Sequence, residues 1–273
     1  GVAQAYINLK NRMPGKNLVI LGSGDIGMIM ARRMTLEGAK VLGVFEIQPY
    51  ASGLPRNIEQ CLNDYDIPLY LSHSVTDIRG TERLESVVVS QVDEQLQPIP
   101  GTEKEYPCDA LILSVGLIPE NELTWMAGAE ADEGTKGAAV DEAFQTTVPG
   151  IFAAGNVLHV HDLVDFVSLE AEQLADGAAR YLQDGALPEC GLSVTGDPMV
   201  GQLVPARFSG TQDLTVSFRV RKPVKNCRVE LWQGETLILK KAFPKALPAE
   251  MIQLAVKKEA LGQNEDLEVR VVC

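Results

Sequence analysis

The chain lacks several features that would assign it to a broad class of protein. No apolar run approaches the ~20 residues that span a bilayer, and no signal-peptide pattern is present. Basic residues are scarce, since 24 Lys and Arg stand against 37 Asp and Glu, a formal net charge of −13. This balance argues against nucleic acid or an anionic membrane as a partner. We therefore expect a cytoplasmic protein that binds neither.

The five cysteines form no C-x-x-C pair, and their scattered spacing predicts neither a metal site nor a redox-active disulfide. An odd number of cysteines without a secretion signal is typical of the reducing cytoplasm. We expect most of them to be buried as small apolar side chains. The cysteines are Cys61, Cys108, Cys190, Cys227 and Cys273.

The strongest signal in the sequence is the stretch from Asn17 to Glu46. A short apolar run predicts a buried strand, three glycines follow in the order G-x-G-x-x-G, and apolar residues at helical spacing predict a helix that ends at Gly38. A second strand over 40–45 leads into Glu46. This order is typical of a Rossmann-like dinucleotide-binding unit, the alternative being a glycine-rich turn of an unrelated α/β sheet. The predicted cofactor loop consists of Gly22, Ser23, Gly24, Asp25, Ile26 and Gly27.

Each glycine of this loop has a distinct expected role. Gly22 permits a tight turn, Gly24 leaves room for a pyrophosphate, and Gly27 lets the helix lie close to the strand. The N–H groups at the start of the helix then face the phosphates. Glu46 follows Gly27 by 19 residues, which is close to the spacing of about 20 that places an acid on the adenosine ribose. A carboxylate there repels a 2′-phosphate, so the sequence favours NAD over NADP.

Three further strands are expected to form an antiparallel meander before a last parallel strand at 110–115. No second Gly-x-Gly loop occurs, so one complete dinucleotide unit is predicted. Later in the chain, 151–154 predicts a short strand, and 165–183 predicts an amphipathic helix capped by Asp165. The predicted apolar face of this helix consists of Phe166, Leu169, Ala171, Leu174, Ala178, Tyr181 and Leu182. From Pro188 onward, short alternating segments predict an all-β sandwich of about eighty residues. The meander strands are predicted at 68–75, 84–92 and 103–106.

Three segments in a fixed order give the chain a family resemblance. The glycine loop, ALILSVGLIP at 110–119 and TTVPGIFAAGN at 146–156 together resemble the flavin-dependent pyridine nucleotide-disulfide oxidoreductase family, in which an NAD domain is inserted into an FAD domain. The resemblance extends to about Leu182 and is nearest to NAD(FAD)-dependent dehydrogenases with an added β domain. It implies that Gly116 lies against the dinucleotide, and that Gly155 and position 156 contact the flavin.

The chain departs from the family pattern at several positions. Asn156 stands where the flavin motif has Asp, Ile29 stands where many members have Glu, and the redox C-x-x-C is absent. The family's first glycine loop, which binds the ADP half of FAD, is also absent, so we expect a portion of a longer protein that lacks its N-terminal FAD half. The expected division is a lead-in (1–14), an NAD-binding Rossmann-like domain (15–120), a remnant of the FAD-binding domain (121–187) and a β-sandwich domain (195–273).

The resemblance implies hydride transfer from NADH to FAD and then to an unknown acceptor, with FAD bound in the full-length protein. We predict no catalytic side chain, because the two cofactors carry this chemistry, and we also predict no metal ligand. His159, His161 and Asp162 are interpreted as a polar loop rather than as a flavin contact or a metal site. Partners considered are the dinucleotide, a second copy of the chain and an electron-acceptor protein. The alternatives are a non-catalytic NAD(H)-binding module that docks a partner and, less favoured, a stand-alone NAD dehydrogenase.

Overall fold

The chain divides into two units, residues 1–116 and 117–273, in a computed structural model that describes all 273 residues. The first unit contains three helices and seven strands. In chain order they are α1 (Val2–Lys10), β1 (Asn17–Leu21), α2 (Asp25–Leu36), β2 (Lys40–Glu46), α3 (Pro55–Cys61), β3 (Leu69–Leu71), β4 (His73–Arg79), β5 (Ser86–Gln91), β6 (Lys104–Pro107) and β7 (Ala110–Leu113).

A four-stranded parallel sheet in the order β3-β2-β1-β7 forms the centre of this unit. The apolar run of β1 is covered on both faces, as expected for a central parallel strand, and Leu18, Val19 and Ile20 are fully buried. Met28 and Met34 of α2 pack in the same core. The chain places β2 and β3 on one side of β1 and then returns to place β7 on the other, so the strand order reverses at β1.

A separate antiparallel sheet in the order β4-β5-β6 matches the predicted meander. The single strand predicted at 68–75 is wrong, because the chain breaks at Ser72, whose φ of 54° is left-handed. This break leaves β3 in the parallel sheet and sends β4 into the meander. Val87 and Val89 of β5 pack with Phe45 of β2 in one apolar cluster.

The second unit contains two helices and eight strands. In chain order they are α4 (Glu122–Met126), α5 (Val164–Asp184), β8 (Leu192–Gly196), β9 (Val200–Val204), β10 (Arg207–Phe208), β11 (Leu214–Val220), β12 (Val224–Gln233), β13 (Thr236–Ala246), β14 (Ile252–Val256) and β15 (Leu267–Val272). No helix of the chain has both the length and the apolar sequence needed to cross a membrane.

The eight strands of this unit form two sheets, in the orders β10-β8-β15-β12-β13 and β14-β11-β9. Alternate residues of both sheets enter one hydrophobic core, in which Phe208, Phe218 and Leu231 are fully buried. The predicted mixture of a parallel sheet with antiparallel sheets in an α/β chain is confirmed. Strand β8 was not predicted, and it pairs parallel with β15.

Two predictions for the region before these strands are wrong. Residues 151–154 form only an isolated bridge between Phe152 and Gln145 instead of a strand. Asp165 does not cap α5, because the helix starts at Val164 and Asp165 lies inside its first turn.

The predicted inner face of α5 is also wrong in part. Leu169 and Leu182 are exposed, whereas Glu170 and Gly177 are buried. Glu170 faces inward because His159 and His161, in the segment before the helix, hydrogen-bond to it.

Candidate functional site

The glycine loop lies at the carboxyl edge of the parallel sheet. The Gly22 N–H donates to the Phe45 carbonyl at 2.7 Å, and the Ser114 N–H donates to the Leu21 carbonyl at 2.7 Å. These two bonds hold the loop between the end of β2 and the segment that follows β7. In open α/β sheets, ligands bind at this edge where the strand order reverses.

Gly22 and Gly27 are required by close packing within the loop. Gly22 has a φ of +100°, and a Cβ atom built there would lie 2.1 Å from the Ser114 carbonyl oxygen. A Cβ atom at Gly27 would lie 2.5 Å from the Gly22 carbonyl oxygen. The first glycine therefore permits the turn, and the third lets α2 approach the strand closely.

Gly24 differs from the other two, because it faces open space. A Cβ atom there would have only the Ser52 hydroxyl within contact range, at 4.0 Å, and the backbone has an ordinary φ of −60°. Gly24 is also the N-cap of α2, where no side chain caps the first N–H groups. The folded chain thus does not itself require glycine at this position.

A cavity of about 490 Å³ opens beside Gly24. Its walls come from the glycine loop, the end of β2 and the residues after β7, and they include Glu46, Ser52 and Gly116. Gly116 has a φ of +104°, and no atom lies within 4 Å of a Cβ atom built there. No Lys or Arg lines the cavity.

The carboxylate of Glu46 is the polar centre of this edge. Its Oε2 accepts hydrogen bonds from the Ser23 N–H at 3.0 Å, the Ser23 hydroxyl at 2.5 Å and the Ser52 hydroxyl at 2.8 Å. Its Oε1 accepts a bond from the Gln48 N–H at 3.0 Å. Glu46 is 4% exposed, and its hydrogen bonds tie the end of β2 to the glycine loop.

Asp25 and Ile26 occupy different environments from the glycines of the loop. Asp25 Oδ1 accepts bonds from the Leu54 N–H at 2.8 Å and the Asn57 side-chain amide at 2.6 Å, so its carboxylate positions the start of α3. Ile26 is 62% exposed. Neither residue lines the cavity beside Gly24.

Ser52 and Gln48 belong to this edge and were not predicted. Both lie in the connection between β2 and α3, a stretch that carries no periodic pattern. The available sequence signal is the small-residue pair Ser52-Gly53 just before the helix-starting Pro55. The Gly53 N–H donates to the Ser23 carbonyl at 3.0 Å, which places this turn on the glycine loop.

Gly155 and Asn156 belong to the second unit and begin a short 3₁₀ turn. Gly155 is buried with a φ of +73°, and its N–H donates to Glu170 Oε1 at 2.5 Å. Asn156 is exposed, and its side-chain oxygen accepts the His161 N–H at 3.1 Å. The side-chain oxygen at position 156 therefore orders the following loop.

Comparison with known proteins assigns the chain to a family. The chain belongs to the pyridine nucleotide-disulphide oxidoreductase family, whose sequence model matches residues 2–178. Members of this family are flavin-dependent pyridine nucleotide oxidoreductases. The resemblance inferred from the sequence is confirmed.

The chain spans less than half the length of the two curated relatives named here. The chain is 25% identical over 189 residues to the glutamate synthase [NADPH] small chain of Escherichia coli K12, covering 63% of this chain and 40% of that protein. It is 30% identical over 176 residues to an NADH oxidase of Methanocaldococcus jannaschii, covering 62% of this chain and 35% of that protein. Thioredoxin reductase of Lactococcus lactis shares the fold, with a TM-score of 0.52 and 21% identity over 62% of this chain and 53% of that one.

Proposed function

We propose that residues 1–116 bind NAD(H), and that the chain is the NADH-binding portion of a flavin-dependent oxidoreductase that passes hydride from NADH to FAD and on to an acceptor. The observation that carries the proposal is the contrast among the three glycines. Gly22 and Gly27 are needed by the packing of the protein itself. Gly24 is not, and the space it leaves open adjoins a cavity of about 490 Å³.

A pyrophosphate fits the chemistry of the space beside Gly24. The N–H groups at the start of α2 have no side-chain cap, and an uncapped helix N-terminus favours a phosphate through hydrogen bonds and the helix dipole. The 12 residues of α2 are enough to sustain that dipole. Gly24 would let the phosphate oxygens reach the backbone because no side chain stands between them.

The adenosine ribose is assigned to the corner formed by Glu46. Glu46 lines the cavity, and a carboxylate can accept hydrogen bonds from ribose hydroxyls. A 2′-phosphate would meet this negative charge in a cavity lined by no cation. These two features support NAD(H) over NADP(H), although the two curated relatives described above carry different nucleotides in their names.

The flavin part of the proposal rests on family membership together with Gly155 and Asn156. When bound, the nicotinamide and the flavin supply the hydride chemistry, and the protein supplies position and electrostatics. We therefore assign no side chain of this chain as a catalytic acid or base. The C-terminal strands are proposed to be a β-sandwich domain over 195–273, following a flavin-domain remnant over 121–187. All five thiols are free, which supports a cytoplasmic location.

The test is a calorimetric titration of the whole chain with NADH and, in parallel, with NADPH. We expect one site per chain and weaker binding of NADPH by at least about tenfold, because about 1.4 kcal/mol of charge repulsion suffices for that ratio. Absence of binding by either nucleotide would refute the proposal. Reduction of a dye by NADH with added FAD would then exclude a non-catalytic binding module.

A further inference from the structure

Three titratable side chains converge within the second unit, away from the glycine loop. His159 and His161 come from the segment after Asn156, and Glu170 comes from the second turn of α5. The His159 Nε2 lies 2.7 Å from Glu170 Oε2, and the His161 Nε2 lies 3.2 Å from Oε1. The side chains of all three are at least nine-tenths buried. Sequence spacing pointed to Asp162 as the neighbouring acid, but Asp162 pairs with Arg219 at 3.0 Å.

The donor types of this cluster suit a metal cation. The Glu170 carboxylate accepts hydrogen bonds from both imidazoles and from the Gly155 N–H. The two imidazole rings lie 4.3 Å apart between centroids. A neutral imidazole carries a lone pair that can coordinate a metal ion.

Hydrogen bonds within the protein do not complete the cluster. The Nδ1 atoms of both His159 and His161 are buried and have no hydrogen-bond partner. Buried polar atoms are normally paired, so an unpaired one indicates a missing partner. In each ring the Nε2 atom meets Glu170 and the Nδ1 atom lies on the opposite edge. An ion ligated by Glu170 would therefore take its electron pairs from the two Nε2 atoms, and the Nδ1 atoms would carry the N–H groups.

The segment that carries the histidines is fixed from two sides. On one side, Glu170 accepts the Gly155 N–H as well as the two imidazoles. On the other side, the Arg219 guanidinium from β11 donates to the Val160 carbonyl at 3.0 Å and to Asp162 at 3.0 Å. Strand β11 thus holds Val160, between the two histidines, and Asp162, which follows them. These contacts pre-position the donor atoms of the histidines.

We propose that His159, His161 and Glu170 bind a divalent first-row transition metal ion. One nitrogen from each ring and one carboxylate oxygen lie within 4.8 Å of one another. Around a tetrahedral ion with bonds of about 2.1 Å, donors lie about 3.4 Å apart, so binding requires shifts of about 1 Å. Two imidazoles and one carboxylate suit Zn²⁺ or Fe²⁺ and leave a position for water. The proposal does not depend on dinucleotide binding by residues 1–116.

The experiment is a titration of the metal-free whole chain with CoCl₂, followed by visible absorption, and then displacement with ZnCl₂. Cysteine thiols are blocked by alkylation beforehand, so that they do not contribute ligands. We expect one equivalent of Co²⁺ bound, in a spectrum that Zn²⁺ abolishes. His161→Gln and Glu170→Gln should each weaken binding by about 100-fold, since even the loss of an outer partner of a metal ligand costs about 10–100-fold.

His73 provides a matched control, because it is the remaining histidine of the chain and lies in the first unit with its Nδ1 2.7 Å from the Leu71 carbonyl. His73→Gln should bind Co²⁺ as the unchanged chain does. Circular dichroism checks that each variant is folded, and Glu170→Gln preserves side-chain shape if the histidine variant does not fold. Failure of the unchanged chain to bind one equivalent, or equal binding by Glu170→Gln, would overturn the proposal whatever the outcome with NADH.

Discussion

Replacing Gly24 with Val separates ligand binding from folding. The backbone at Gly24 has a φ of −60°, which any residue adopts, and a Cβ atom there would meet only the Ser52 hydroxyl, at 4.0 Å. The added methyl groups therefore enter the space beside the uncapped start of α2. If a pyrophosphate occupies that space, Gly24→Val removes its access to the backbone N–H groups while leaving the packing of the protein intact.

The size of the effect follows from the bonds that would be lost. A hydrogen bond from a backbone N–H to a charged oxygen contributes about 1.5–3 kcal/mol, so losing one or two such bonds costs about 3 kcal/mol. That loss corresponds to an increase in Kd of about 100-fold. The cost to folding is smaller, because exchanging Gly for Val at an N-cap costs about 1 kcal/mol. A domain of ordinary stability remains folded after such a loss.

Calorimetric titration with NADH measures this effect, and urea unfolding reports the stability of each variant. Gly191→Val is the matched control, since Gly191 is exposed and no atom lies within 4 Å of a Cβ atom built there. The control should bind NADH as the unchanged chain does. A folded Gly24→Val chain with an unaltered Kd would refute the assignment of the pyrophosphate to this loop.

Three further predictions concern packing and titration. Gly27→Ala places a methyl group 2.5 Å from the Gly22 carbonyl oxygen and should lower the free energy of unfolding by about 1–3 kcal/mol in urea; an unchanged midpoint would contradict the close packing. Burial raises the pKa of Asp109, but backbone hydrogen bonds outweigh burial and lower that pKa below its usual value. The ionised Asp109 therefore stabilises the folded chain above pH about 4, and this stabilisation is lost as the pH falls further. Asp109→Asn should therefore reduce the loss of Tm on acidification, and an identical acid profile would contradict this. Burial raises the pKa of the Cys190 thiol to about 12, so iodoacetamide should label it more slowly at pH 8 than the exposed Cys273, and peptide mass spectrometry showing the reverse order would be inconsistent with it.

The glycine loop was predictable because its determinants are local. The apolar run before Gly22, the helical spacing after Gly24 and the acid at Glu46 all lie within thirty residues, and each fixes its own backbone state. What the spacing did not reveal is that Ser23 and Ser52 already hydrogen-bond the acid. That arrangement depends on the path of the connection between β2 and α3, and no periodic pattern specifies the path of a loop.

The region after Asn156 was less predictable because its contacts are not local. Periodicity assigned Leu169 and Leu182 to the inner face of α5, whereas the structure exposes them and buries Glu170. The reason is that Glu170 meets His159 and His161 from a preceding segment, and such polar pairing does not appear in a hydrophobic pattern. Strand β8 was missed for a similar reason, since it pairs with β15 about seventy residues away.

Hydrogen–deuterium exchange of the whole chain with and without NADH tests the central claim most directly. The account predicts that NADH slows exchange of the backbone amides over 22–28 and 46–52, because the nucleotide would cover the start of α2 and the Glu46 corner. Exchange over 192–272 should not change. Slower exchange confined to another part of the chain, with no change over 22–28, would contradict the claim that this loop holds the dinucleotide.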